Sequence, residues 1–199
     1  MSLTLLTPPG AEPVSLVQAK AWLRVSHAEE DELITDLIRA SRESVEAFTG
    51  RALISRQYRE SLDDWPASRF SACGSAFALK APPLVSVEAV RSFEADGTAS
   101  VWDPAEWRID TGADPGRLIA IAPFGFPRPG RRAGGIEIDF TAGYGTLPED
   151  VPAPLREAIL RLVARGYASV EPAQDSQRGA GGLPPGVEAL LKPYAQVRL

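Results

Sequence analysis

The chain has 199 residues, of which 44% are hydrophobic and 24% are charged, and its formal net charge is −5 at pH 7. This composition is typical of a globular protein with a real core, and the acidic balance argues against a protein that grips nucleic acid with its whole surface. One cysteine (Cys73), one histidine (His27) and no long apolar run argue against a disulfide framework, a histidine metal cluster and a membrane span.

The first predicted element is a short helix over about residues 15–25, after an extended proline-containing leader over residues 1–13. Ser15 begins this helix, and Gln18 three residues later completes a capping box, in which each residue's side chain bonds to the other's backbone. The apolar face of this helix comprises Leu16, Ala19, Trp22 and Leu23.

A longer amphipathic helix is predicted over about residues 29–49. Ser26 and Glu29 predict a second capping box at its start, and acidic residues in its first turns suit the partial positive charge of a helix N-terminus. Gly50 is expected to end the helix in the left-handed conformation. An apolar stripe at three- and four-residue spacing indicates core packing, and it consists of Leu33, Ile34, Leu37, Ile38, Val45 and Phe48.

The middle of the chain, about residues 54–145, is predicted to form a small antiparallel β region. Apolar and polar residues alternate within residues 84–93 and 136–140, which is typical of half-buried strands. Asp96-Gly97 predicts a two-residue hairpin turn, with positive φ at both positions.

A third helix is predicted over about residues 152–170, followed by a linker over 172–186 and an apolar C-terminal tail over 187–199. The fold class is therefore expected to be α+β: mainly a helical bundle, with the β region inserted between its second and third helices, and with a flexible tail. Residues 1–171 would form one domain. From the residues alone, the tail either docks on its own core or is held out for a partner.

The sequence contains no motif that predicts an enzyme, a cofactor or a metal site. Asp63 and Asp64 form an adjacent pair of carboxylates, which is more typical of a solvated turn than of an acid–base pair. The glycines at 179–182 lack the strand and the Gly-Lys-Ser/Thr of a phosphate-binding loop, and Cys73 has no neighbouring histidine.

A loop rich in proline, glycine and arginine holds Arg128, Arg131 and Arg132. These arginines form either an exposed hairpin tip or a contact with the phosphate backbone that does not read bases. One copy would bind DNA weakly, whereas many copies arranged in a ring would add their contributions.

Five segments in a fixed order carry a family resemblance: LVQAKAWLRV (16–25), ELITDLIRASRESVEAFTGRALISRQY (32–58), APPLVSVEAV (81–90), IDFTAGYG (138–145) and VPAPLREAILRLVARGY (151–167). Their order and spacing resemble the head–tail connector, or adaptor, family of long-tailed double-stranded DNA phages, including the adaptor proteins of gene transfer agents. The resemblance covers about residues 15–170 and brings no catalytic residues with it.

The resemblance implies a structural role at the head–tail interface of a virion or virus-like particle that is assembled in a bacterial cytoplasm. Members of this family form a ring, typically of twelve copies, below the portal protein. The ring extends the DNA channel and contacts a downstream stopper or tail connector protein. DNA would pass without sequence-specific contact, and no membrane is involved.

By analogy with related connectors, the C-terminal tail is expected to bind the portal protein. The residues expected to do so are Leu190, Leu191, Tyr194, Val197 and Leu199. Deleting residues 187–199 should then leave the fold intact, and the arginine loop should face DNA or a neighbouring subunit. The alternatives are a later head-completion, stopper or tail-end protein, a small hydrolase that uses Asp63 and Asp64, and a free nucleic-acid-binding protein.

Overall fold

A computed structural model of the chain describes residues 2–70, 76–121, 125–170 and 182–196. The chain forms two compact units, each assembled from separate stretches of sequence. The β unit comprises Met1–Gly10 and Ser55–Tyr144, and the helical unit comprises Ala11–Ile54 and Gly145–Leu199. The predicted α+β class is confirmed, but a mainly helical bundle is wrong, because 36% of the described residues are helical and 25% lie in strands.

The described part of the helical unit has four α-helices: α1 (Leu16–Leu23), α2 (Asp31–Thr49), α3 (Ala153–Val170) and α4 (Pro185–Leu191). Local sequence signals set two of their ends. The capping box at α1 is confirmed, because Ser15 Oγ accepts a hydrogen bond from the Gln18 backbone N–H at 3.2 Å and the Ser15 N–H donates to Gln18 Oε1 at 3.0 Å. Gly50 ends α2 with a φ of 71°, as predicted.

The predicted capping box at Ser26 is wrong, because α2 begins at Asp31 and its N-cap residue, Glu30, makes no side-chain capping bond. A lysine at the end of α1 holds this turn instead. The Lys20 ammonium forms an ion pair with Asp31 and donates to the His27 carbonyl oxygen at 2.6 Å. A contact between α1 and the start of α2 therefore holds this turn, and the capping box predicted from Ser26 and Glu29 does not form.

The core of the helical unit lies among all four helices. The longest apolar stripes come from α2 and α3, and α4 adds two further side chains. The buried members from these three helices include Ile34, Ile38, Val45, Leu155, Ala158, Ile159, Val163, Val187 and Leu191. At Gly166 on α3, a Cβ would come within 2.7 Å of Leu37 Cδ2, so the glycine lets α3 approach α2 closely.

The described part of the β unit has eight strands: β1 (Ser2–Leu5), β2 (Arg56–Leu62), β3 (Ala76–Ala78), β4 (Leu84–Phe93), β5 (Ala99–Val101), β6 (Trp107–Asp110), β7 (Arg117–Ala120) and β8 (Ile136–Ala142). They form a five-stranded sheet in the order β1-β2-β8-β4-β5 and a three-stranded sheet in the order β3-β7-β6. Every pair is antiparallel. Short 3-10 helices lie at Ala67–Arg69, Pro104–Glu106, Pro148–Asp150 and Lys192–Tyr194.

The five-stranded sheet has a buried face and a more exposed, charged face, because β2 and β8 alternate strictly in burial. On the charged face, Asp139 accepts hydrogen bonds from Arg59 Nε at 2.6 Å and from Arg91 Nη1 at 2.7 Å. The hydrogen bonds from Arg59, then those from Arg91, hold the pKa of Asp139 below its usual range, against the opposing effect of partial burial.

The hairpin between β4 and β5 lies where Asp96-Gly97 predicts it, but the turn is of a different kind. Only Gly97 has a positive φ, of 89°. Asp96 Oδ1 accepts a hydrogen bond from the Thr98 N–H at 2.9 Å, and the Glu94 N–H donates to the Thr98 carbonyl oxygen at 2.9 Å. The aspartate side chain thus stabilises a longer loop, which does not need two left-handed residues.

Candidate assembly surfaces

The arginine loop presents two of its three arginines to solvent. Arg128 and Arg132 are exposed. Arg131 folds back instead: its guanidinium lies 4.6 Å from the centre of the Phe93 ring, donates to the Ala133 carbonyl oxygen at 2.7 Å and also bonds to the Gly134 carbonyl oxygen. Arg131 therefore stabilises the loop, and Arg128 and Arg132 are the members that a phosphate or a neighbouring chain can reach.

Asp63 and Asp64, the carboxylate pair that follows β2, also have structural roles. Asp63 Oδ1 accepts a hydrogen bond from the Gly134 N–H at 2.8 Å, and Asp64 Oδ1 accepts one from the Trp65 N–H at 2.8 Å. Each carboxylate accepts a hydrogen bond from a different backbone N–H, so the two carboxylates do not converge on a common point. Cys73, the other residue considered for catalysis, lies outside the described residues.

The C-terminal segment is docked on the helical unit. Val187 and Leu191 of α4 are 2% and 0% exposed. Two hydrogen bonds join the segment to the end of α2: Arg51 Nε donates to the Tyr194 carbonyl oxygen at 2.6 Å, and the Gln196 N–H donates to the Thr49 carbonyl oxygen at 3.0 Å. The expectation that residues 187–199 can be deleted without cost to the fold is therefore wrong, because deletion would uncover part of this core.

The five residues predicted to bind the portal protein lie in different environments. Leu191 is fully buried, whereas Leu190 and Tyr194 are half-buried and keep part of their surface available. Val197 and Leu199 lie outside the described residues, as do residues 172–181 of the predicted linker.

An apolar groove of about 630 Å³ runs between α1 and the first half of α3. Its lining residues are Val14, Gln18, Ala21, Trp22, Ala153, Arg156, Glu157 and Leu160. Trp22 is 49% exposed, and Val17, also on α1, is 77% exposed. Arg156 Nε is buried and has no hydrogen-bond partner among the described residues. An unpaired buried donor beside exposed apolar side chains is typical of a surface that is completed by another molecule.

The sequence pattern does not predict this groove, because it places Trp22 on the core face of α1. Ala19 is fully buried, but Trp22 is half-exposed. The sequence does contain one signal for this groove, which is a second apolar flank on α1. Val17, Ala21 and Trp22 add to a helix that is already apolar at Leu16, Ala19 and Leu23, so α1 is apolar around most of its circumference.

The described residues contain no group of three or more His, Cys, Asp or Glu side chains that could hold a metal ion. None of the described helices combines the length and the apolar character needed to cross a membrane. Three exposed features of the described residues are candidate binding surfaces: the arginine loop, the outer side of the C-terminal segment and the groove.

The N-terminal region matches a known sequence family. Residues 13–73 match the profile of the phage gp6-like head-tail connector proteins. This match covers α1, α2 and β2, which are the elements that carry the first part of the predicted resemblance. No significant relative was found among curated proteins.

The whole chain is similar to solved structures of one kind of particle. It matches a chain in the structure of the virion of the native gene transfer agent particle with a TM-score of 0.78 and 28% sequence identity, covering 100% of this chain and 97% of that chain. A chain in the neck of the native particle, computed with C12 symmetry, matches with a TM-score of 0.74 at the same identity and coverage. The predicted resemblance is therefore confirmed: residues 13–73 resemble the gp6-like head-tail connector proteins, and the whole fold is similar to that of a chain in the gene transfer agent neck. Both matches support a head–tail connector role.

Proposed function

We propose that this chain forms a ring at the head–tail interface of a tailed phage or gene transfer agent particle, typically with twelve copies. The ring lies below the portal protein, extends the DNA channel and joins the capsid to the tail. The observation that carries this proposal is the match to a chain of the C12-symmetric neck, which spans 100% of this chain. The role is structural and requires no chemistry from the chain.

The charge of the chain suits a channel through which DNA moves. With a net charge of −5, the protein as a whole repels phosphate, so DNA can pass without being held. Arg128 and Arg132 are exposed and supply local positive charge in each copy. In a ring, they contact either the DNA backbone or the neighbouring subunit, and repetition around the ring adds weak contacts together.

The C-terminal segment is the part that we assign to the portal protein. The half-buried side chains Leu190 and Tyr194 are available for contact while α4 stays docked. Leu191 contributes directly only if α4 leaves the helical unit, because it is fully buried there. Its role in the docked state is to position the segment. The opposite side of the ring contacts a downstream stopper or tail connector protein.

The test is electron microscopy of particles from cells that lack this protein. We expect DNA-filled or leaking heads without tails, and restoration of tailed particles when the purified protein is added. Normally tailed particles from the deletion strain would contradict the proposal. Pull-down against the isolated portal protein and against the isolated tail separates this role from that of a later stopper or tail-end protein, which would bind the tail alone.

The portal contact can be tested separately, with variants that leave the buried side chains of α4 unchanged. A chain that ends at Gln196 loses Val197 and Leu199 but keeps every described contact of the segment. A Leu190→Asp variant of the full-length chain charges the available side of α4. We expect both changes to weaken portal binding while the thermal unfolding midpoint stays near that of the wild type. Full portal binding by both proteins would contradict the assignment.

A further inference from the structure

The helical unit has two different exposed surfaces on opposite sides. Helices α1, α2 and α3 each contact the other two, so they are arranged as a triangle. The groove between α1 and α3 therefore faces away from α2, and the outer face of α2 points in the opposite direction. Two unlike surfaces on opposite sides of one unit are what a head-to-tail contact between identical copies requires.

The first surface is largely apolar, with Gln18 and Glu157 among its lining residues, and it contains a buried donor without an acceptor among the described residues. Trp22 and Val17 project from α1 beside the groove and are 49% and 77% exposed. On the α3 side, the buried Nε–H of Arg156 has no acceptor among the described residues. A carboxylate or carbonyl oxygen entering the groove would supply the missing acceptor, and apolar atoms around it would cover the tryptophan ring.

The second surface combines small side chains with exposed charges of both signs, because Arg39 lies beside Asp36 and Glu43 on α2. Ala40, Ser44 and Ala47 lie three or four residues apart on α2, so they share its exposed face. The Ser44 hydroxyl donates to the Ala40 carbonyl oxygen at 2.8 Å, so its hydrogen is directed at the helix's own backbone. Asp36 and Glu43 flank the small residues and are exposed. Small side chains allow close approach, and the two carboxylates bring acceptors.

We propose that the α1–α3 groove of one copy receives the outer face of α2 from a second copy of this chain. Trp22 and Val17 pack on the small residues, and Arg156 donates to Asp36 or Glu43 of the second copy. The contact joins two different surfaces, so it repeats from copy to copy, and it forms a ring when the rotation between successive copies closes. This inference rests on the proposed function, since it specifies how copies meet within the ring.

The charge and shape of the two surfaces favour this occupant over an unrelated protein. The groove offers a large aromatic ring and an Arg156 Nε–H without an acceptor among the described residues. The α2 face offers small side chains and the exposed carboxylates of Asp36 and Glu43, of which Glu43 also pairs with Arg42 of its own chain at 3.3 Å. The C12 symmetry of the neck that contains the similar chain also requires a heterologous contact of this kind between neighbours, if the copies form a single ring.

Cysteine trapping in assembled particles tests the contact. In a full-length Cys73→Ser chain, Val17→Cys and Ser44→Cys are introduced together, and purified particles are oxidised and run without reductant. If the surfaces meet, disulfides link successive copies into a ladder of multimers, because the Cα atoms at such a contact come within about 4–7 Å. Each single-cysteine variant is the matched control and can form dimers at most.

The outcomes separate the inference from the function on which it rests. Particles whose necks lack the protein altogether would contradict the proposed function. Particles that contain it but give only monomers or dimers from the double variant would overturn the inference and leave the function standing. A disulfide from position 17 or 44 to a different neck protein would overturn it as well, since the groove would then hold another partner.

Charge-reversal variants provide a second test, and its result would differ if Arg156 only stabilised the fold. We expect Arg156→Glu to lose incorporation into particles, and Arg156→Glu combined with Asp36→Arg or Glu43→Arg to recover it. If Arg156 only stabilised the fold, a second change on the exposed face of α2 would not restore assembly. Failure of both combinations to recover incorporation would overturn the assigned role of Arg156.

Discussion

Replacing Leu191 by alanine measures whether α4 is a docked part of the helical unit or a passive tail. Leu191 is 0% exposed, so the substitution removes buried methyl groups and leaves a cavity. Large-to-small changes of this kind cost about 2–5 kcal/mol. The adjacent Leu190 is half-buried, which makes Leu190→Ala a matched control, with an expected cost of about 1 kcal/mol.

The cost is expected to appear first as local opening, because α4 has only seven residues and only two of them, Val187 and Leu191, are buried. A loss of 2 kcal/mol raises the equilibrium constant for undocking by about 30-fold. Hydrogen–deuterium exchange of the α4 amides measures that constant directly, and urea unfolding measures how much of the loss reaches the whole unit.

We therefore expect the α4 amides of Leu191→Ala to exchange at least about 30-fold faster than in the wild type, with a much smaller change in Leu190→Ala. The reasoning is refuted if the two variants exchange equally fast. It is also refuted if the amides of α4 are already unprotected in the wild-type chain, since Leu191 would then contribute no docking energy.

Three further predictions concern stability, and urea unfolding checks each of them. Because hydrogen bonds lower the folded-state pKa of Asp139, this carboxylate stabilises the fold above its unfolded pKa of about 4, and the stabilisation is lost as the pH falls. The difference in the free energy of unfolding between wild type and Asp139→Asn should therefore shrink below about pH 4. A difference that is constant with pH would contradict this. Arg131→Ala should cost about 1–3 kcal/mol through lost contacts with Phe93 and the loop carbonyls, whereas Arg132→Ala should stay within about 0.5 kcal/mol; equal effects would show that Arg131 is not structural. Ser15→Ala should cost about 1 kcal/mol by removing the α1 capping box, and an unchanged unfolding midpoint would contradict that role.

Features that depend only on neighbouring residues could be predicted from the sequence. The Ser15 cap and the Gly50 stop need only neighbouring residues, and both were predicted correctly. The strand at residues 136–140 was also predicted, because strict alternation follows from one buried and one polar face.

Features that depend on distant partners could not be read in this way. β1 lies within the predicted leader, and its strand character comes from pairing with β2, more than fifty residues later. The Ser26 cap failed because Lys20, on the preceding helix, determines that turn. Whether α4 is docked depends on the end of α2, which explains why composition alone left the state of the tail open.

The same distinction applies to the candidate surfaces. The order of the elements was enough to predict a head–tail connector, and the comparisons confirm it. The sequence grouped Arg128, Arg131 and Arg132 together, whereas the fold uses Arg131 internally and leaves the other two exposed. The groove beside Trp22 needs α1 and α3 side by side, and no local pattern reports that pairing.

The division of the helical unit into two stretches has a consequence for synthesis on the ribosome. The 90 residues of Ser55–Tyr144 separate α2 from α3, so α1 and α2 are made first and wait about 5–20 s for their partner helix at ordinary translation rates. During that time the apolar stripe of α2 has no α3 to cover it, and a nascent chain is open to chaperone binding. The groove between α1 and α3 does not yet exist either. Chains still on the ribosome therefore lack one half of the proposed contact, and assembly waits until a complete protein has been released.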